Sequence, residues 1–154
     1  MEETILSKIK DEHSSILSQM QAVEDCADLR RKKILYQDLK VKLMELMQGE
    51  HLSIYKHFRE EIPKPIAKEL NEISGTEHHQ IKEYLQRLNL LEITNVEWPK
   101  TFVELKHLMK IHCEIEELLM FGEAKEDFSR EELIEIGTEY EQFKHLSFYE
   151  TPAN

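Results

Sequence analysis

The chain has 154 residues, 40% hydrophobic and 33% charged, with only four glycines and four prolines; this suits one domain of helices joined by short loops around a real core. A formal charge of −11 repels phosphate backbones and anionic lipid surfaces, which sets nucleic-acid and membrane partners aside. No apolar run approaches the ~18 residues of a spanning helix, and the acidic, amphipathic start "MEETILSKIKDEH" is not a signal peptide. The two cysteines, Cys26 and Cys113, make no disulfide framework, so free thiols and a cytoplasmic location are expected.

Helical periodicity predicts a first helix over about residues 2–24, with Ile5, Ile9, His13, Ile16, Met20 and Val23 on one stripe. A second, over about 28–61, aligns Tyr36, Leu39, Leu43, Met47, His51, Ile54 and Phe58. Pro63 and Pro65 end it, because proline removes a backbone donor and disfavours helix in the residue before it. The third helix, roughly 65–88, carries Leu70, Ser74, His78, Ile81, Leu85 and Leu88, and Gly75 inside it costs about 1 kcal/mol against alanine. After a connection at about 89–98, a fourth helix over about 99–121 aligns Phe102, Leu105, Met109, His112, Glu116 and Leu119. Ser129 and Glu132 form a capping box for a last helix, about 129–147, with Leu133, Ile136, Tyr140 and Phe143 on one side. No segment alternates with period two, so the expected fold is all-α: an up-down-up-down four-helix bundle with an additional C-terminal helix packed outside it.

The histidines carry the functional signal. In four separate helices one histidine lies on the apolar stripe itself. His13 and His78 both stand in Glu-His-x-x-Ile, while His51 and His112 each follow apolar residues four and seven positions earlier. His51 lies 38 residues after His13 and His112 lies 34 after His78. This is the pattern of an internal duplication within a single domain, residues 1–62 matched by 65–121. A single stripe histidine is most simply a hydrogen-bonded core residue. Four buried imidazoles without a partner are costly, and they repel one another when protonated. The set is therefore expected to bind a metal.

Residues i and i+4 on a helix differ by about 40° around the axis and about 6 Å along it, so His112 and Glu116 reach one metal centre. Imidazole and carboxylate donors admit iron, zinc, manganese or copper. A ferritin-like site needs Glu-x-x-His on two inward faces; only Glu104–His107 has that spacing, and His107 lies about 140° off its stripe. His57, His79, His107 and His145 are expected at the surface, Cys113 as a buried or half-buried free thiol, and the methionines as core. Glu12, Glu50 and Glu77 could each supply a further carboxylate, but each lies about 100° off its stripe. Glu12 and Glu77 are also candidates to accept hydrogen bonds near His13 and His78.

These residues resemble the hemerythrin-like family, the His-His-Glu cation-binding domains, over residues 1–121. The resemblance implies a non-haem iron centre, with two ions or one. His13 and His51 would serve one iron, His78 and His112 the other, with Glu116 as a carboxylate bridge. It implies a protein that binds or reacts with dioxygen, peroxide or nitric oxide, or senses iron. Two positions depart from the family pattern. Tyr55 stands where the first half should carry its glutamate, and Lys82 stands where oxygen carriers have an extra histidine. Tyr55 is open to three roles: phenolate ligand, hydrogen-bonding phenol, or core aromatic. The competing expectation is a metal-free helical module that works through a protein partner.

Overall fold

The structure, a computed structural model, describes residues 2–146, which are helical and contain no strand. The first helix, α1 (Ile5–Asp25), is capped by Thr4, whose side chain accepts from Ser7 N at 3.3 Å. Asp28 caps α2 (Leu29–Leu52) in the same way. Then α3 (Ile54–Glu61) ends before Pro63, and α4 (Pro65–Leu90) opens with proline at its first position, where the missing N–H costs nothing. A long α5 (Glu97–Asp127) and α6 (Arg130–Lys144) follow and are the last helices among the described residues. The expected Ser129–Glu132 capping box is present; the expected last position of that helix, 147, lies outside the described residues.

The expected second helix over 28–61 is broken. Ser53 leaves helical geometry (φ −121°, ψ −94°), is buried, and donates its hydroxyl to Gly49 O at 2.5 Å. A side chain bonding back four residues competes with the helix ladder and bends it. The fourth helix is longer than expected, because Trp98 packs into the core and Ala124 and Phe128 extend the buried stripe. Within it the stripe drifts, so Met120 is buried while Leu119 is 44% exposed.

Contacts between helices fix their directions. Lys106 bonds Gln21 and Glu24 while Glu117 bonds His13, so α1 and α5 run antiparallel. Lys64 reaches Asp127 while His112 meets Glu77, so α4 and α5 are antiparallel too. Tyr36 OH donates to Asn89 Oδ1 at 3.2 Å while Glu50 meets His78, giving the same sense to α2 and α4. Helix α6 lies along α1 in parallel, with Lys8 near Glu141 and Lys144 near Glu12, and it also packs on α2. There Tyr140 covers Gly49 so closely that an added Cβ would sit 2.6 Å from its ring.

One hydrophobic core runs through these helices. At one end Trp98 and Phe102 stack at 5.3 Å, with Tyr36 edge-on; at the other Phe58 packs on Phe128. Between the two ends lies a layer of buried polar residues. Ile9 and Ile16 flank it on α1, and Met109 and Met120 flank it on α5. No helix among the described residues is long and apolar enough to cross a membrane.

Candidate metal centre

The polar layer consists of His13, Glu50, His78, His112 and Glu116, all buried in the core. Glu50, His78, His112 and Glu116 each offer one donor atom, and those four atoms lie within 4.8 Å of one another. Each carboxylate faces two imidazoles. Glu116 lies 3.0 Å from His13 Nε2 and 3.5 Å from His112 Nε2. Glu50 lies 3.2 Å from His78 Nε2 and 3.8 Å from His13 Nε2.

The outward nitrogens show what the inward ones do. His13 Nδ1 donates to Glu117 Oε2 at 2.7 Å, and His112 Nδ1 donates to Glu77 Oε1 at 2.9 Å. A carboxylate only accepts, so these rings carry their proton on Nδ1. In the neutral ring, Nε2 then presents a lone pair to the interior. Close as they are to the carboxylates, the Nε2 atoms of His13, His78 and His112, both oxygens of Glu50 and Oε1 of Glu116 make no aligned hydrogen bond. While these rings are neutral, lone pairs and carboxylate oxygens converge on one small volume with nothing positive between them. Burying such charges unpaired costs several kcal/mol per ion. A cation would resolve the conflict, and the three-imidazole, two-carboxylate donor set suits a first-row divalent metal. Carboxylates that orient the far nitrogen of ligating histidines are the usual outer support of a metal site.

Protonation behaviour carries the same electrostatic demand. Burial pushes the Glu116 carboxyl up, and neighbouring Glu50 pushes it further. His13 is opposed by burial, yet contacts with Cys113, Glu116 and Glu50 raise it well above the ordinary imidazole range. Burial also works against His112, but Glu116 and then Glu77 raise it to about 9. His78 goes the other way: burial and the neighbouring His112 lower it to about 4. The cluster draws positive charge toward its carboxylates while keeping one imidazole neutral.

Comparison with protein-family models, with curated proteins and with solved structures finds no match. The centre is therefore read from its own residues.

Of the residues singled out from the sequence, His13, His78, His112 and Glu116 come together. His51, expected on the core stripe, does not join them. It is exposed, and Glu50 beside it is fully buried. The core face of α2 steps through Leu39, Leu43 and Leu46 to Glu50, at spacings of four, three and four. Met44, which would have carried the stripe to His51, is only half-buried. That Leu-Leu-Leu-Glu series was the available signal for Glu50. Tyr55 reaches the cluster, where its hydroxyl donates to Glu116 Oε2 at 2.8 Å. Burial, then Glu116 and Glu50, push its phenol well above the usual range, so it stays protonated. Glu77 holds His112 rather than His78, and Glu12 pairs with Lys144. Glu117 gave no pattern signal, since its partner is 104 positions away in the chain.

His51, Tyr55 and His78 also line a pocket of about 740 Å3 between α3 and the first half of α4. The cluster is thus reached from one side.

Proposed function

We propose that the chain is a hemerythrin-like, non-haem iron protein of the cytoplasm, built as an up-down-up-down four-helix bundle. In this reading α1, α2 with α3, α4 and α5 are its four members, and α6 covers α1 and α2 from outside. The observation that carries it is the set of unpaired inward donors: three Nε2 atoms facing two buried carboxylates, two of the rings held from behind by Glu117 and Glu77. His13, His78, His112, Glu50 and Glu116 would hold the metal. Glu116 and Glu50, each between two histidines, suit a shared carboxylate, and two iron ions is the proposed count, with one as the alternative. Bound iron would supply an open coordination position and electrons for dioxygen, peroxide or nitric oxide.

The surrounding residues have their own tasks. The protonated Tyr55 hydroxyl orients Glu116 and keeps a transferable proton at the pocket side of the cluster. Phe58 packs on Phe128 at the adjacent end of the core. Glu117 and Glu77 fix the tautomers of His13 and His112.

Anaerobic reconstitution with ferrous iron tests the reading. Iron should bind at one to two per chain, and saturating it at about 100 times Kd should raise unfolding free energy by about 2.7 kcal/mol. Iron well below one per chain after reconstitution would overturn the proposal in favour of the metal-free module.

A further inference from the structure

The pocket beside His78 and Tyr55 has a composition at odds with the rest of the chain. In a protein of formal charge −11, three of the four charged residues lining this pocket are cationic: Arg59, Lys64 and Lys68, against Glu72. Lys64 is already held by Glu123 and Asp127, so Arg59 and Lys68 carry the free charge. Arg59 is steadied by one bond, Nη1 donating to Asn71 Oδ1 at 3.1 Å. Its remaining donors keep the planar fork that matches a carboxylate. Arg59 and Lys68 are exposed, whereas Phe58, Tyr55 and His78, which line the same pocket, are buried. Gly75 faces this space with nothing within 4 Å of where a Cβ would be. About 740 Å3 is far more than a diatomic needs and lies in the range that takes organic ligands.

We propose that this pocket binds an amphiphilic carboxylate, a medium-chain fatty acid or a similar organic acid. Its carboxylate sits on Arg59 and Lys68, and its apolar chain runs along Phe58 toward Tyr55 and His78. Charge at the mouth selects the anion, and the apolar throat selects a chain over a small polar acid such as acetate. The proposal deepens the metal-centre reading, because it names what would reach the cluster, and rests on that reading for its purpose; binding itself uses no metal ligand other than the wall formed by His78.

Calorimetric titration of the full chain with octanoate, as purified and again after chelation, tests this, with iron content measured on the same samples. Octanoate should bind saturably and one-to-one in both states, with 1-octanol and acetate each weaker by about tenfold or more. The double variant Arg59→Gln/Lys68→Gln should bring octanoate down to the level of octanol. Gly75→Leu, which fills open space and favours the helix, should abolish binding while helicity and iron content stay unchanged. Absence of saturable binding, equal affinity for octanol, or undiminished binding by either variant overturns the carboxylate assignment. Those outcomes leave iron content untouched, so failure here and failure of the metal-centre reading are separately visible.

Discussion

Two stretches of the chain, 1–62 and 65–121, bring their polar residues into the core differently. In α4 and α5 the helices run unbroken through the polar layer, and periodicity and burial coincide: His78, His112 and Glu116 lie inside where their stripes place them. In α2 the stripe turns by one residue, the helix breaks at Ser53, and Glu50 enters the core in place of His51. The first stretch still delivers a carboxylate, from five positions before the expected one. Tyr55, at the position where the second stretch has Glu116, bonds that glutamate instead of supplying a second carboxylate of its own. Register along α2 thus decides which side chain enters the core, and the step from Leu46 to Glu50 is made before the break at Ser53.

The largest expected effect tests that exchange directly. Glu50→Gln should weaken ferrous iron binding as severely as Glu116→Gln, beyond the ~10–100-fold that outer-support changes cost, while His51→Ala should leave it near wild type. Iron content that falls with His51→Ala and survives Glu50→Gln would restore the symmetric picture. Next, Glu117→Gln and Glu77→Gln should each lower iron affinity by about 10–100-fold, without unfolding the chain, since each removes a carboxylate behind a histidine. A change in only one of them would mean that the two stretches are not equivalently supported.

The first stretch also depends on α6, which the second does not touch in the same way. Gly49→Val should destabilise the fold by about 1–3 kcal/mol in denaturant unfolding, because its side chain meets the Tyr140 ring. Gly122→Val on α5, with nothing within 4 Å of the added Cβ, should be neutral or slightly stabilising, by less than about 1 kcal/mol, because valine is the better helix former. The smallest effect concerns α3. His57 is opposed by partial burial but raised above its ordinary pKa by Glu139 of α6 and Glu61. A raised folded pKa means that the protonated pair stabilises fully below the unfolded value near 6.5, and the stabilisation fades as pH rises through the folded value. Between pH 6 and 8.5 the wild type should lose up to about 0.5 kcal/mol relative to His57→Gln, a half-exposed pair being worth little more. A flat difference would remove α3 from the list of elements that α6 secures.

Much of the site was legible in the sequence because a 3.6-residue period survives wherever a helix is continuous. His13, His78, His112 and Glu116 each lie three or four residues from a buried apolar neighbour on the same face, and their burial followed. Glu50 was obscured because Met47 and Ile54 are compatible with either register, and the buried Leu46 against the half-buried Met44 decides between them. Glu117 and Glu77 were invisible in their present roles: a carboxylate behind a histidine on another helix has no local pattern at all.

By itself the sequence determined the helical class, the helix ends marked by Asp28, Pro65 and Ser129, and four of the five residues in the polar layer. Those features follow from capping chemistry and from the match between apolar spacing and the helix period, both of them local. Only the tertiary structure decided which face of α2 enters the core, which carboxylate stands behind each imidazole, and that cations of α3 and α4 gather around one opening beside His78. Each of those depends on the depth and rotation of one helix against another, which packing between distant residues sets.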